Sequence, residues 1–291
     1  MSASVRCMTS SARVRVVTDS TCALPAALVA AEGLTVVPLH VVVDGTEHLE
    51  GVDVDDETIA GAVAAEARVT TSQPAPAAFA RVYDRLAADG AAGIVSVHLS
   101  GELSGTVHTA AAAATAAPVP VRVVDSRSAA TGTGLAALVA SRAAAAGAGL
   151  REVEQVALRV ASSATTLFLV GSLDHLRRGG RLSRAAAAVG NVLGMRPLLT
   201  LRDGRIEVLA KVRTRAAATD RLVEIAREAA GRVRRPLVAV HHLDTPDEAA
   251  ALAERLADVA AETVIVGPVG AVLGAHVGPG VLAVVVVDAD A

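Results

Sequence analysis

Aromatic side chains are nearly missing from this chain, with two Phe, one Tyr and no Trp among 291 residues. Flat ring faces are what hold bases and ring cofactors by stacking, so ligands of that kind are disfavoured. Cysteine is equally scarce. Cys7 and Cys22 have no metal-ligand spacing and cannot form a disulfide framework, which suits two free thiols in a reducing interior. An excess of positive charge is also lacking: 27 basic residues stand against 30 acidic ones, for a net charge of −3, and no basic stripe runs along the chain. That speaks against a nucleic-acid partner. The longest apolar runs, such as residues 281–287, are too short to span a bilayer, and residues 1–13 have no apolar core of a signal peptide. A soluble, cytoplasmic protein is expected, with Met8 a second candidate start.

What the chain does have is aliphatic bulk. Apolar residues make up 52 %, mostly Ala and Val, enough for a sizeable core in one large or two medium α/β domains. Short β-branched runs at 14–17, 35–43, 94–97, 121–124 and 167–170 alternate with Ala-rich stretches of helical length, the pattern of a parallel sheet with helices packed on it. A helix over 76–88 is predicted after Ser72 and Pro74, because Phe79, Val82, Tyr83 and Leu86 recur at helical spacing and read as core. Near residue 170 the pattern changes. Arg177-Arg178-Gly179-Gly180-Arg181 interrupts it, a further helix is expected, and strands at 197–201 and 205–209 flank Asp203-Gly204, a hairpin signal. Helices at 216–230 and 246–260 and strands at 237–240, 263–266 and 281–287 complete the reading. The expected fold is α/β in two domains: a doubly wound parallel sheet over 1–168 and a mixed-sheet α/β domain over 169–291, the boundary lying at about 165–172.

Ligands of doubly wound sheets sit beyond the carboxyl ends of the strands. Three loops there are rich in small hydroxyl residues: Thr18-Asp19-Ser20-Thr21, the segment from His98 to Thr106, and Asp125-Ser126-Arg127-Ser128. A fourth, Thr70-Thr71-Ser72-Gln73-Pro74, stands at a helix start. Such groups either bind a carboxylate-like anion or simply cap the helices that follow. His276, between Gly274 and Gly278-Pro279-Gly280, is a candidate contact, as are Arg181 and Arg213. Other patterns carry less. Gly132-Thr133-Gly134-Leu135-Ala136-Ala137 matches a dinucleotide fingerprint but lies too far from the strand end, and His241-His242 reads as a strand end without metal-ligand spacing.

The ordered set of motifs resembles the DegV family along nearly the whole chain. It comprises Val17-Thr18-Asp19-Ser20-Thr21 with Leu24-Pro25, Val36-Val37-Pro38-Leu39, Thr71-Ser72-Gln73-Pro74, Leu103-Ser104-Gly105-Thr106, Asp125-Ser126, Gly179-Gly180-Arg181-Leu182-Ser183, Lys211-Val212-Arg213-Thr214 and His276-Val277-Gly278-Pro279-Gly280. The resemblance implies a two-domain α/β protein that buries a long-chain fatty acid between its domains. It implies a non-catalytic carrier subunit, without cofactor or metal, that presents the carboxylate to a separate ATP-dependent fatty acid kinase and touches membranes only peripherally. By position, Thr71 and Ser100 would hydrogen-bond the carboxylate, with Ser72 and the Gly101 N–H nearby and His276 beside the head group. Arg181 and Arg213 would lie near the kinase-facing mouth, in the vicinity of the head group. Burying a sixteen-carbon tail, at roughly 0.8 kcal/mol per CH₂, is worth on the order of 11 kcal/mol, so the tail supplies affinity and the head orientation. Two other classes compete: a hydrolase of a small acidic or lipid substrate using Asp19 and Ser100, and a DNA-binding regulator using residues 177–184. The first lacks a base aimed at a nucleophile, and Gly179-Gly180 would break the recognition helix of the second.

Overall fold

The computed structural model describes residues 13–182 and 195–291. β1 (Val14–Asp19) enters a 3₁₀ turn (Ser20–Cys22). Then come α1 (Ala26–Ala31), β2 (Thr35–Val37), β3 (His40–Val43), β4 (Thr46–Leu49), α2 (Asp56–Ala64), β5 (Val69–Ser72), α3 (Pro76–Ala88), β6 (Gly93–His98) and α4 (Thr106–Ala114). β7 (Val121–Asp125), α5 (Thr131–Ala145), α6 (Leu150–Ser163), β8 (Thr165–Leu169) and α7 (Asp174–Arg178) lead to the hairpin of β9 (Arg196–Arg202) and β10 (Arg205–Val212). The chain continues through α8 (Arg215–Ala230), β11 (Pro236–His242), α9 (Pro246–Glu254), β12 (Ile265–Pro268), α10 (Ala271–Val277) and β13 (Leu282–Asp288).

Strands β2-β1-β6-β7 form a parallel sheet. Its pleat sends alternate residues to opposite faces. Val16 packs with Leu135, Leu138 and Val153 of α5 and α6, whereas Val17 packs with Phe79 and Tyr83 of α3 and Ala110 of α4. The sheet is therefore doubly wound, as expected. A six-stranded mixed sheet, β10-β9-β8-β13-β11-β12, lies on the far side of α5 and α6, to which it contributes Leu237, Val285 and Val287. Its outer face is covered by α8 and α9 through Leu222, Ala226 and Leu252. The two helices α5 and α6 thus serve both sheets at once.

Two expectations need correction, and one sheet was not foreseen. The run at 167–170, read as a further parallel strand, is β8, which pairs antiparallel with both β13 and β9 in the mixed sheet. The reason is the double-helix connection: α5 carries the chain away from the end of β7, α6 brings it back, and no single-helix crossover remains to add a parallel strand. The run at 35–43 is two strands, because Pro38 cannot donate to a ladder and the next donor, Leu39 N, bonds Ser20 Oγ at 2.9 Å. Beyond that break, β4-β3-β5 form a third, antiparallel sheet that no sequence signal had indicated.

Of the patterns set aside in the sequence, Gly132 and Gly134 serve packing. A Cβ on either would overlap Ser128 Oγ or the carbonyl of Cys22. His241, next to last in β11, is fully buried, with Nε2 2.9 Å from Thr131 Oγ1. Cys22 is a free, buried thiol; Cys7, Met8, Ser183, Arg184 and the helix expected after residue 182 lie outside the described residues. No helix among the described residues is long and apolar enough to cross a membrane.

Candidate functional site

The inner face of the mixed sheet also faces the loops after β6 and β7 together with α7 and α10. A cavity of about 300 Å³ fills the gap. Its walls are mainly aliphatic: Leu39, Leu99, Leu201, Ile206, Val277 and Ala283, with Phe168 the one aromatic contributor. Its polar groups gather where β5, α10 and the segment after α7 meet, and they include Thr71, Ser72, Gln73, Ser104, Arg181 and His276.

Local structure explains how these groups meet. Thr71 is held in β5 opposite Val41 of β3. His276 occupies the last turn of α10, and its Nε2 lies 2.8 Å from Thr71 Oγ1 across 205 residues of sequence. Gly179, which closes α7, lets the imidazole approach, since a Cβ there would overlap Nδ1. Arg181 follows with Nε donating to Leu103 O at 3.0 Å and Nη1 to Gly179 O at 2.6 Å. Burial first, and the Arg181 charge second, push the His276 pKa down to about 4, so the ring is neutral near pH 7. Burial also lowers the pKa of Arg181. On the other side of Thr71 and His276 lies a polar cleft lined by Arg68, His175 and Arg178, with Arg181 shared between the two spaces. The Thr71–His276 pair thus divides an apolar chamber from a basic one.

Four residues expected from sequence come together here: Thr71, Ser72, Arg181 and His276. Three do not line the cavity. Ser100 is fully buried and donates from Oγ to Gly204 O at 2.8 Å, at the tip of the β9–β10 hairpin, while accepting from Glu102 N at 3.2 Å. The Gly101 N–H is taken by the Asp125 carboxylate at 3.2 and 3.3 Å. Arg213 is exposed just beyond β10. In exchange, Gln73, Ser104 and Gly105 join the lining. They stand inside the two quoted motifs, beside residues already singled out, so their loops were legible although their inward placement was not.

The hydrolase reading meets a specific geometry. Tyr83 OH donates to Ser96 Oγ at 2.9 Å, Ser96 Oγ lies 2.7 Å from His98 Nε2, and His98 Nδ1 lies 2.9 Å from Asp19 Oδ2. The order Ser–His–Asp is that of a catalytic triad. However, all four side chains are fully buried, Phe79 packs edge-on against His98 at 5.1 Å, and Asp19 also accepts from Leu99 N and Thr21 N. No substrate carbonyl can reach Ser96. The network instead ties β1 to β6 beneath the loops. Among the described residues, no group of His, Cys, Asp and Glu could hold a metal ion.

With this geometry established, similarity to known proteins is informative. The chain is 48 % identical over 279 residues to a DegV domain-containing protein of Streptomyces coelicolor, covering 95 % of this chain and 99 % of that one. It is 41 % identical over 278 residues to one of Mycobacterium tuberculosis, covering 94 % and 96 %. Among solved structures it is similar to a fatty-acid-binding DegV family protein of Thermus thermophilus, at TM-score 0.89 and 34 % identity over 95 % of this chain and 99 % of that one. It is also similar to DegV of Bacillus subtilis, a fatty acid binding protein, at TM-score 0.88 and 30 % identity over 96 % and 100 %. The family model described as the uncharacterised DegV family matches residues 13–289, so the whole described architecture, from β1 through β13, is that of a member of the DegV family.

Proposed function

We propose that this protein binds a long-chain fatty acid, with the tail in the aliphatic cavity and the carboxylate at Thr71 and His276, and presents that carboxylate to a separate ATP-dependent kinase. The observation that carries this reading is the Thr71–His276 pair at the junction of an apolar chamber and a basic cleft. A neutral His276 donating from Nε2 leaves the Thr71 hydroxyl proton for the carboxylate, so the anion meets a donor in place of water. The tail supplies the affinity through burial. Arg68, Arg178 and Arg181 give the far side of the pair a positive field, which suits the approach of an anionic phosphoryl donor. On this reading the protein is a carrier in a kinase system that works in the cytoplasm and meets membranes peripherally.

Solvent extraction of the purified protein followed by mass spectrometry tests the ligand class. The expected result is about one fatty acid per chain, with rebinding of free acids but not of their methyl esters after delipidation. Equal binding of acid and ester would exclude a carboxylate site at Thr71 and His276.

A further inference from the structure

α10 carries His276 from the second half of the chain to Thr71 in the first, so whatever fixes α10 also fixes the Thr71–His276 pair. Two carboxyl groups hold its start. Glu50, just after β4, is only 7 % exposed, and its Oε1 accepts from Val272 N at 2.8 Å across 222 residues of sequence. Asp56, in the first turn of α2, accepts from the N–H of Gly270, the residue before α10. The fit is close, since Gly270 has φ +96° and a Cβ there would overlap Glu50 Oε1. Glu50 is itself tied down: its N–H donates to Leu39 O at 3.0 Å, and the Ser20 hydroxyl bonds its carboxyl group. Beyond this anchor Val272, Leu273, His276 and Val277 line the fatty-acid cavity. α10 is therefore pinned at both ends to the sheet β4-β3-β5, at its start through Glu50 after β4 and at its end through Thr71 in β5.

We propose that Glu50 is a positioning residue for the head-group site: acting through α10, it sets where His276 meets Thr71. The inference rests on the reading of Thr71 and His276 as the head-group contacts. Ala271 and Val272 also pack with Leu39, Val41 and Ile59, which keeps α10 against the sheet. Apolar packing has no direction, however, whereas the Glu50–Val272 hydrogen bond fixes one register of the helix on that surface. Without its acceptor the buried Val272 N–H is left unmatched, so the first turn must shift to find water or another oxygen. A seven-residue helix is a stiff rod about 10 Å long, and a shift at its start is carried to His276 in its last turn. Burial brings Glu50 to about 7, so near neutral pH both of its protonation states are populated. An oxygen faces Val272 N in either state, so the role is that of an acceptor rather than of a charge, and glutamine can fill it.

The test follows the His276 imidazole by NMR titration of the full, delipidated chain, its signal assigned by its absence from His276→Ala. In the native protein burial holds its midpoint at about 4. Glu50→Ala should let water reach the ring and move the midpoint up towards the ordinary 6.5, and palmitate affinity should fall about tenfold. Glu50→Gln should restore both. Ser96→Ala, which disturbs the buried network of the parallel sheet instead, should move neither, and so separates positioning from a general loss of stability. Asp56→Ala removes the acceptor of Gly270 N–H from another element and should also raise the midpoint, which decides the matter if Glu50→Ala does not fold. An unmoved His276 midpoint in the folded variants, or an equal shift in Ser96→Ala, would overturn the proposal. Because the imidazole titration needs no lipid, it can fail or succeed independently of the fatty-acid reading, which the extraction and rebinding experiment decides.

Discussion

Gly179 lies directly against the His276 imidazole, so close that a Cβ at position 179 would overlap Nδ1. Its neighbour Gly180 has open space around it but a left-handed backbone at φ +69°. The two glycines are therefore required for different reasons. Gly179→Ala leaves an ordinary helical backbone undisturbed and acts by displacing His276 from Thr71; fatty-acid affinity should fall about tenfold, with a modest loss of stability. Gly180→Ala should do the reverse, costing about 1 kcal/mol of stability through its backbone while affinity holds. Lipid titration and urea unfolding of both variants check this, and equal effects on affinity would remove the Gly179–His276 contact from the argument.

Ser100 offers a second contrast. Its hydroxyl joins the loop after β6 to Gly204 of the β9–β10 hairpin, a junction supported by Arg205 with Glu102 at 2.7 Å and by Arg127 donating to Asp203 O at 2.7 Å. Ser100→Ala should lower stability by about 1 kcal/mol and leave fatty-acid affinity within about twofold. A collapse of affinity at unchanged stability would instead place Ser100 at the head group, as the resemblance alone implies.

What could be read from the sequence was whatever depends on near neighbours. Pro76 at the first turn with Phe79, Tyr83 and Leu86 on one face produces α3 over the residues expected, and Asp203-Gly204 produces the hairpin. The direction of β8 was not legible, because it depends on α5 and α6 packing as a pair rather than on any residue of the strand. The split at Pro38 was written in the sequence, yet the run of β-branched residues around it masked the break. At the site, His276 and Thr71 were singled out separately, one by the glycines around it, although it lies in the last turn of α10 and not in a loop, and one by its motif. Their pairing spans 205 residues, and so does the diversion of Ser100 to a carbonyl 104 residues away depend on distant structure. Local pattern has no access to such distances.

The buried chain Tyr83–Ser96–His98–Asp19 should behave as structure rather than as a nucleophile. Ser96→Ala leaves the Tyr83 hydroxyl and His98 Nε2 without partners inside the core, which should cost about 1–3 kcal/mol in denaturant unfolding. A fluorophosphonate probe should label neither the native protein nor the variant. Labelling of the native protein that is lost in Ser96→Ala would revive the hydrolase reading.

The pH dependence of stability sets the buried histidines against Glu50. His276 and His241 both fall from 6.5 in the unfolded chain to about 4 when folded, burial being the main cause. A depressed histidine contributes stability that is complete above about pH 6.5 and is lost as pH falls towards 4. Glu50 works in the opposite sense, rising from 4.5 to about 7, again chiefly through burial; its contribution is complete below about pH 4.5 and is lost as pH rises through 7. Between about pH 4.5 and 6.5 the unfolded chain therefore holds two extra protons on the histidines, while the folded chain holds one extra on Glu50. The net difference from these three groups is about one proton, or roughly 1.4 kcal/mol lost per pH unit of acidification. Glu50→Gln removes the opposing proton and should steepen the loss to roughly 2.7 kcal/mol per unit in that window. His175 and His242, whose pKa values are also lowered by burial, add the same slope to both proteins and leave the difference between them unchanged. Urea unfolding of the two proteins across the window measures it, and equal slopes would mean that Glu50 titrates as an ordinary surface carboxylate.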